Sequence, residues 1–227
     1  MKKALAITVF ICCAFAATLA QDTPDAVLAK ARAGDGAAQV KAGDMYALGQ
    51  GVGRDSTEAA KWYRKAADQN NAEGQFKLGV LYEIGRGVPP EPQTALRLYK
   101  LSARQGNVDA MYSLAAVYEQ GRGVQKDDVS AAKWYLQAAE KGRVDAQLKM
   151  GLLYEEGRGV SQNYNEAFKW FMAASTNDES EAKYRLGSMY EQGLGVPSNR
   201  TEAIKWYRAA VEQGNAEARV ALRNLEK

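Results

Sequence analysis

The chain has 227 residues, of which 46% are hydrophobic and 25% charged, with 30 Lys+Arg against 27 Asp+Glu. This is the composition of a folded protein and excludes a largely disordered one. The chain contains no histidine, which excludes His-ligated zinc and nucleophile systems that rely on an imidazole base.

The first twenty residues have the pattern of a secretory signal peptide. Lys2 and Lys3 precede an apolar run over residues 4–17, and Ala20 is the small residue that signal peptidase requires. We therefore predict a signal peptide at 1–20, export of the mature chain, and no integral membrane span after cleavage. A retained membrane anchor is the alternative.

Cleavage would change the chemistry that the chain can perform. Cys12 and Cys13 are the two cysteines of the chain, so the mature chain would lack disulfides, thiolate zinc sites and cysteine nucleophiles. Lipidation at Cys12 is not favoured, because Ile11 stands where a lipoprotein signal has a small residue. Loss of Lys2 and Lys3 leaves 28 basic against 27 acidic residues, which is too little positive charge to predict a nucleic-acid partner.

The rest of the chain repeats itself with a period of 36 residues. Tyr46, Tyr82, Tyr118, Tyr154 and Tyr190 keep this spacing, and so do Gly51, Gly87, Gly123, Gly159 and Gly195. We divide the chain into an N-terminal linker and capping helix at 21–37, five repeats at 38–73, 74–109, 110–145, 146–181 and 182–215, and a C-terminal capping helix at 216–227.

Each repeat is predicted to begin with a helix, called helix A. In the fourth repeat Ala146, Met150, Leu153 and Tyr154 fall on one helical face. Four copies carry a glycine inside helix A, which costs up to about 1 kcal/mol relative to alanine. Close approach of another helix would explain these glycines, which are Gly43, Gly79, Gly151 and Gly187.

A Gly-x-Gly-Val loop follows helix A, and its valine is expected to fill the seam before a second helix, helix B. In the fourth repeat Ala167, Trp170 and Phe171 lie on one stripe of that helix. Its N-cap is predicted at Asp55, Glu91, Asp127, Asn163 and Asn199. Its end is predicted at Asn70, Gly106, Gly142, Asp178 and Gly214.

These motifs together resemble the Sel1-like repeat, a relative of the tetratricopeptide repeat with a longer loop between its helices. The shared pattern is Ala-x-x-x-Leu-Gly-x-x-Tyr-x-x-Gly-x-Gly-Val, then Ala-x-x-Trp-Tyr and Ala-Ala, and it covers residues 38–215. The resemblance implies an all-α, right-handed helix-pair solenoid with a capping helix at each end. Three copies depart from the pattern, at Ala42, Leu98 and Ala115.

Together with the predicted signal peptide, the resemblance implies a scaffold or adaptor in signalling or assembly in the bacterial envelope, as a periplasmic or secreted protein. Because the chain has no histidine and the mature chain no cysteine, we predict no catalytic, metal-binding or cofactor-binding residues. The partner of the scaffold would be a protein or peptide, with a polysaccharide or peptidoglycan as the other option. Helix A lines the concave surface of related solenoids. This predicts ligand-binding residues Lys41, Asp44, Lys77, Val80, Tyr112, Ala116, Lys149, Leu152, Arg185 and Ser188, for which packing and a solvated face are the alternatives.

The second hypothesis is a cell-wall-directed hydrolase or β-lactam-binding protein that uses carboxylates. Some Sel1-like proteins have been linked to β-lactam binding, but those relatives are cysteine-rich. The candidate acids follow the repeat tyrosine, at Glu83, Glu119, Glu155 and Glu191. Arginines three residues after the first three of these acids, Arg86, Arg122 and Arg158, are their expected partners. The Gly-x-Gly loops follow helices and not strands, so we interpret them as turns and not as phosphate sites.

Overall fold

The computed structural model describes residues 23–177 and 179–226, so the predicted signal peptide and Asp178 lie outside the described residues. The described ranges contain twelve α-helices and no strand. The helices are α1 Pro24–Arg32, α2 Gly36–Leu48, α3 Ser56–Asp68, α4 Ala72–Ile84, α5 Pro92–Arg104, α6 Val108–Gln120, α7 Asp128–Glu140, α8 Val144–Glu156, α9 Tyr164–Ser175, α10 Ser180–Gln192, α11 Arg200–Glu212 and α12 Ala216–Leu225.

The helices form two compact units, one that ends at Asn107 and one that begins at Val108. Helices α2, α4, α6, α8 and α10 are the predicted helices A, and α3, α5, α7, α9 and α11 are the predicted helices B. Within each unit, every helix packs against the next one in the chain. The predicted all-α class with paired helices is therefore confirmed.

Helix B begins where its N-cap was predicted. The carboxylate of Asp55 accepts hydrogen bonds from the amides of Thr57 and Glu58 at the start of α3, and Asp127, Asn163 and Asn199 cap their helices in the same way. Glu91 makes no such bond, and α5 instead begins with Pro92. In all five repeats the amide of the N-cap residue donates to the carbonyl of the repeat tyrosine over 2.8–3.0 Å, which closes the loop.

The second loop glycine provides contact between repeats. Gly87 has φ +74° and lies against the carbonyl of Ser56, at the first turn of helix B in the preceding repeat. A Cβ placed there would come closer than 3.0 Å to that oxygen, and the same holds for Gly159 against Asp128 and for Gly195 against Tyr164. Each of these glycines therefore forms a turn that packs directly against the backbone of the preceding repeat.

The glycines inside helix A mark a close approach, as predicted. A Cβ at any of them would lie closer than 3.0 Å to an aromatic ring on helix B of the same repeat. The pairs are Gly43 with Tyr63, Gly79 with Tyr99, Gly151 with Phe171 and Gly187 with Tyr207. The third repeat has Ala115 in place of this glycine. There the planes of the Tyr112 and Tyr135 rings make an angle of 64°. The equivalent ring pairs of the second and fifth repeats make angles of 38° and 33°.

The core of each repeat centres on the aromatic residue of helix B that follows the tryptophan position. Tyr99, Tyr135, Phe171 and Tyr207 are at most 1% exposed. The tryptophans are less uniform, since Trp62 is buried whereas Trp134, Trp170 and Trp206 are half-buried. Loop valines Val52, Val88 and Val196 pack against these cores, as predicted.

Candidate functional site

In the first unit, Lys77, one of the predicted ligand-binding residues, links helix α4 to helix α2 by an ion pair. Lys77 Nζ lies 3.0 Å from Asp44 Oδ1 on α2 and 3.3 Å from Glu73 Oε1 on its own helix. Asp44 also accepts a hydrogen bond of 2.7 Å from the hydroxyl of Tyr63. Two of the ten predicted ligand-binding residues are therefore bonded to each other.

The second unit repeats this arrangement with different residues. Glu119 on α6 accepts a bond of 2.8 Å from Tyr135, lies 3.3 Å from Lys149 Nζ on α8, and pairs with Arg158. Arg185 on α10 likewise lies 3.2 Å from Glu155 on α8 and 2.7 Å from Glu181. Basic residues of one repeat therefore neutralise acids of the repeat before it.

A tyrosine hydroxyl bonded to a carboxylate recurs through the chain, and the sequence reasoning missed it. Tyr99 donates to Glu83 over 2.6 Å, and Tyr207 to Glu191 over 2.6 Å, in each case 16 residues apart. The first repeat has Ala47 in place of the glutamate, and Asp44, one helical turn earlier, supplies the acid. The fixed spacing of Glu and Tyr was the available signal.

The fourth repeat departs from this pattern. Phe171 has no hydroxyl, so Glu155 lacks the tyrosine donor that the equivalent acids have. Glu155 pairs with Arg185 at 3.2 Å and not with Arg158, three residues later. Arg158 instead pairs with Glu119 and Glu156, and Arg86 donates to Ser56 over 3.0 Å. The predicted pairs of a helix A glutamate with the arginine three residues later are therefore wrong for Arg86 and Arg158, because both arginine side chains reach back to the preceding repeat.

These environments shift two glutamate pKa values in opposite directions. Burial alone would raise the pKa of Glu119, but the bonds from Tyr135, Lys149 and Arg158 outweigh it and hold the pKa below its ordinary value of 4.5. Burial raises the pKa of Glu155, and the attraction of Arg185 offsets this only in part. Glu119 is therefore an ionised structural group and is poorly suited to donate a proton as a general acid.

The remaining predicted residues lie along helix A with mixed exposure. Tyr112 is half-buried, its ring 5.3 Å from that of Tyr135 and 4.3 Å from the guanidinium of Arg143. Val80, Ala116, Leu152 and Ser188 are also half-buried, whereas Lys41 is exposed. The side-chain hydroxyl of Ser188 accepts a bond of 2.7 Å from Gln192.

A cavity of about 410 Å³ lies beside α2 and α1. It brings the predicted residues Lys41 and Asp44 together with apolar Pro24, Val27 and Met45. Among the described residues, no cluster of acids could hold a metal ion. Over the same ranges, none of the helices combines the length and apolar character needed to cross a membrane.

Comparison with known proteins identifies the fold. The Sel1 repeat family model matches residues 36–71, 72–107, 108–142, 144–178 and 180–215, each starting two residues before the divisions chosen above. A comparison with curated proteins gives no match.

Solved structures agree with this match. The chain is similar to c5321, a protective antigen of uropathogenic Escherichia coli with an SLR fold, at 32% identity and a TM-score of 0.85 over 87% of this chain and 42% of that one. A Sel1 repeat protein from Oxalobacter formigenes is 32% identical with a TM-score of 0.75 over 91% of this chain and 80% of that one. The chain thus spans less than half the length of the first protein. It belongs to the Sel1 repeat family and has that family's all-α helix-pair solenoid fold.

Proposed function

We propose that this protein is an exported interaction scaffold that binds a protein or peptide on the face of helix A. Sel1 repeat proteins are in general protein-interaction scaffolds. The observation that carries the proposal for this chain is the cavity beside α2, where exposed Lys41 adjoins apolar Val27 and Met45. An apolar floor with a charged rim is the arrangement that protein interfaces use.

The electrostatics of helix A favour a protein or peptide over an acidic polymer. Lys77, Lys149 and Arg185 are each about one-third exposed and already paired with carboxylates. A polyanionic partner would have to displace those acids. The half-buried apolar side chains beside them, Val80 and Leu152, instead offer surface that a partner can desolvate. Polysaccharide and peptidoglycan remain the alternative ligands.

Selection of peptides on the immobilised protein from a random phage-displayed library tests this proposal. Peptides that bind the first unit should lose affinity by about tenfold or more when Lys41 or Val80 is changed to glutamate, since central interface contacts carry most of the binding energy. Peptides that bind the second unit should lose affinity in the same way when Leu152 is changed to glutamate. Val129→Glu is the matched control, because Val129 is 67% exposed on α7, a helix B. Equal losses in the control and the test variants would contradict the assignment to helix A.

Export is part of the proposal and needs its own test. Expression in a Gram-negative host should give a periplasmic protein whose first residue is Gln21, because cleavage is expected after Ala20. N-terminal sequencing of the fractionated protein measures this directly. Full-length protein recovered only in the membrane fraction would favour a retained anchor instead.

One observation keeps the hydrolase hypothesis as the second candidate. The pKa of Glu155 is raised by burial, as a general acid requires. The scaffold proposal predicts no turnover of a chromogenic β-lactam or of peptidoglycan by the purified protein. Turnover that disappears in Glu155→Gln with an unchanged helical circular dichroism spectrum would establish the hydrolase in its place.

A further inference from the structure

A second cavity, of about 280 Å³, lies in the first unit among α3, α4 and α5. Apolar Leu78 and Leu98 line it together with Arg64, Tyr82 and Arg97. It contains none of the ten predicted ligand-binding residues, so it is independent of the function proposed for helix A. Its volume is slightly below the range of about 300–1,000 Å³ typical of small-molecule sites, which suits one side chain of a partner.

The cavity lies where the repeat pattern would place an indole ring. Position 98 is tryptophan in the other four copies, at Trp62, Trp134, Trp170 and Trp206. In the first repeat Trp62 is buried in a cluster with Leu28, Ala31 and Ala42. The residues 36 positions after those three are Arg64, Ala67 and Leu78, and all three line the cavity. Leu98 is smaller than tryptophan and leaves part of this space unfilled. We call the space that a tryptophan at position 98 would occupy the tryptophan seat.

Two further departures in the same repeat change the charge at the cavity. In the first, fourth and fifth repeats, the residue before the tryptophan is a lysine that pairs with a glutamate three residues earlier, as Lys61 does with Glu58 at 2.5 Å. The second repeat has Arg97 and Thr94 at these positions, and both line the cavity. The hydroxyl of Thr94 donates to Glu91 over 2.9 Å.

Arg97 is an exposed cation that lines this cavity, which has both polar and apolar walls. It makes no ion pair with any residue in the described ranges. Arg64 beside it donates to the hydroxyl of Tyr82, and its guanidinium lies 5.7 Å from the centre of that ring. Asp68 is the single acid among the lining residues, so the two arginines leave a net positive charge.

We propose that this cavity binds the C-terminal residue of a partner polypeptide when that residue is aromatic. Its ring would fill the seat that Leu98 leaves open, and its free α-carboxylate would pair with Arg97. Shape and charge both support this occupant. The seat is the one that an indole fills in the first repeat, and arginine, unlike the lysine of the other copies, presents a planar fork that can hold a carboxylate through two hydrogen bonds.

Fluorescence anisotropy with N-terminally labelled peptides tests the proposal on the full protein. The probe is a short Gly-Ser peptide ending in tryptophan with a free carboxylate, compared with its C-terminal amide and with a peptide ending in alanine. We expect the free acid to bind about three- to fivefold more tightly than the amide, because an exposed ion pair contributes little. It should bind at least about tenfold more tightly than the peptide ending in alanine, which lacks the ring. Equal binding of acid and amide would overturn the proposal.

Leu98→Trp is the decisive variant, because it restores the residue that the other repeats carry and should fold. It should abolish binding of the free-acid peptide and leave the thermal midpoint unchanged or higher. Arg97→Gln should fold equally well and remove the preference for acid over amide, which keeps the test valid if the tryptophan variant does not fold. Unchanged binding in both variants would place the ligand elsewhere and refute the site.

A last comparison separates the polypeptide from a free aromatic acid. Indole-3-acetate should compete with the labelled peptide only weakly, because it lacks the preceding residues that can contact Asp68 and Thr94. Binding of indole-3-acetate without any binding of the peptide would overturn the assignment to a polypeptide C-terminus.

Discussion

Tyr135→Phe is the change that best tests how the repeats are held together. The hydroxyl of Tyr135 donates to Glu119 over 2.8 Å, and the tyrosine is fully buried. A hydrogen bond to a charged group contributes about 1.5 to 3 kcal/mol. Glu119 keeps Lys149 and Arg158 after the change, and its side chain is 14% exposed, so we expect a loss of about 1 to 2 kcal/mol.

Urea denaturation followed by circular dichroism measures this loss as a lower midpoint. Phenylalanine keeps the ring and leaves no unpaired donor, so the change isolates the hydrogen bond. The pKa of Glu119 is lowered by folding, so the stability that its bonds provide is present above the ordinary value of 4.5 and is lost as pH falls through the folded value. The cost of Tyr135→Phe should therefore shrink in acid. A cost that is absent at pH 7 would refute the reasoning.

Phe171→Tyr is the reverse experiment in the fourth repeat. The new hydroxyl should donate to Glu155, as tyrosines do to the equivalent acids of other repeats, and stabilise the protein by about 1 kcal/mol. The pKa of Glu155 is raised by folding. The folded protein therefore loses stability as pH rises through the pKa of Glu155 in the folded state, where this carboxyl ionises. The variant should lower this pKa, which carboxyl NMR titration can follow. An unchanged pKa would show that the hydroxyl does not reach the carboxylate.

Three other changes test the packing, each by urea denaturation. Gly151→Ala should destabilise by about 1 to 3 kcal/mol because its Cβ would overlap an aromatic ring, whereas Gly53→Ala, with open space around it, should be nearly neutral. Gly87→Ala should lower the free energy of unfolding more than Gly106→Ala. Both glycines have positive φ, but only Gly87 lies against another repeat. Equal losses would argue against that contact. Trp62→Leu should cost about 1 to 3 kcal/mol; a neutral result would show that the seat collapses around leucine.

Much of the fold could be read from the sequence because its determinants are local and periodic. A cap residue acts on amides two or three positions away, so Asp55 and Asn163 marked the start of helix B without any tertiary information. The 36-residue period showed that the glycines of helix A occupy equivalent positions in the repeats. Because glycine inside a helix lowers stability, their presence there predicted that another helix packs close to them. These features depend on neighbours in one repeat.

Contacts between repeats were not predictable in the same way. The i, i+3 spacing suggested that Arg158 would pair with Glu155, but its guanidinium reaches Glu119, 39 residues earlier. The reason is geometric: stacking brings the loop of one repeat beside helix A of the one before, and spacing along a single helix does not encode that distance. Asp44 shows the same limit, since it was predicted to bind a ligand and in the structure is bonded to Tyr63 and Lys77.

The sequence by itself determined the repeat, its two helices, their caps and the family, because each rests on short-range spacing that recurs five times. Only the tertiary structure decided which charges neutralise one another and where surface remains open. Leu98 illustrates the difference. In the sequence it is one departure from a pattern, and it becomes a cavity only because α3, α4 and α5 surround the space that a tryptophan would fill.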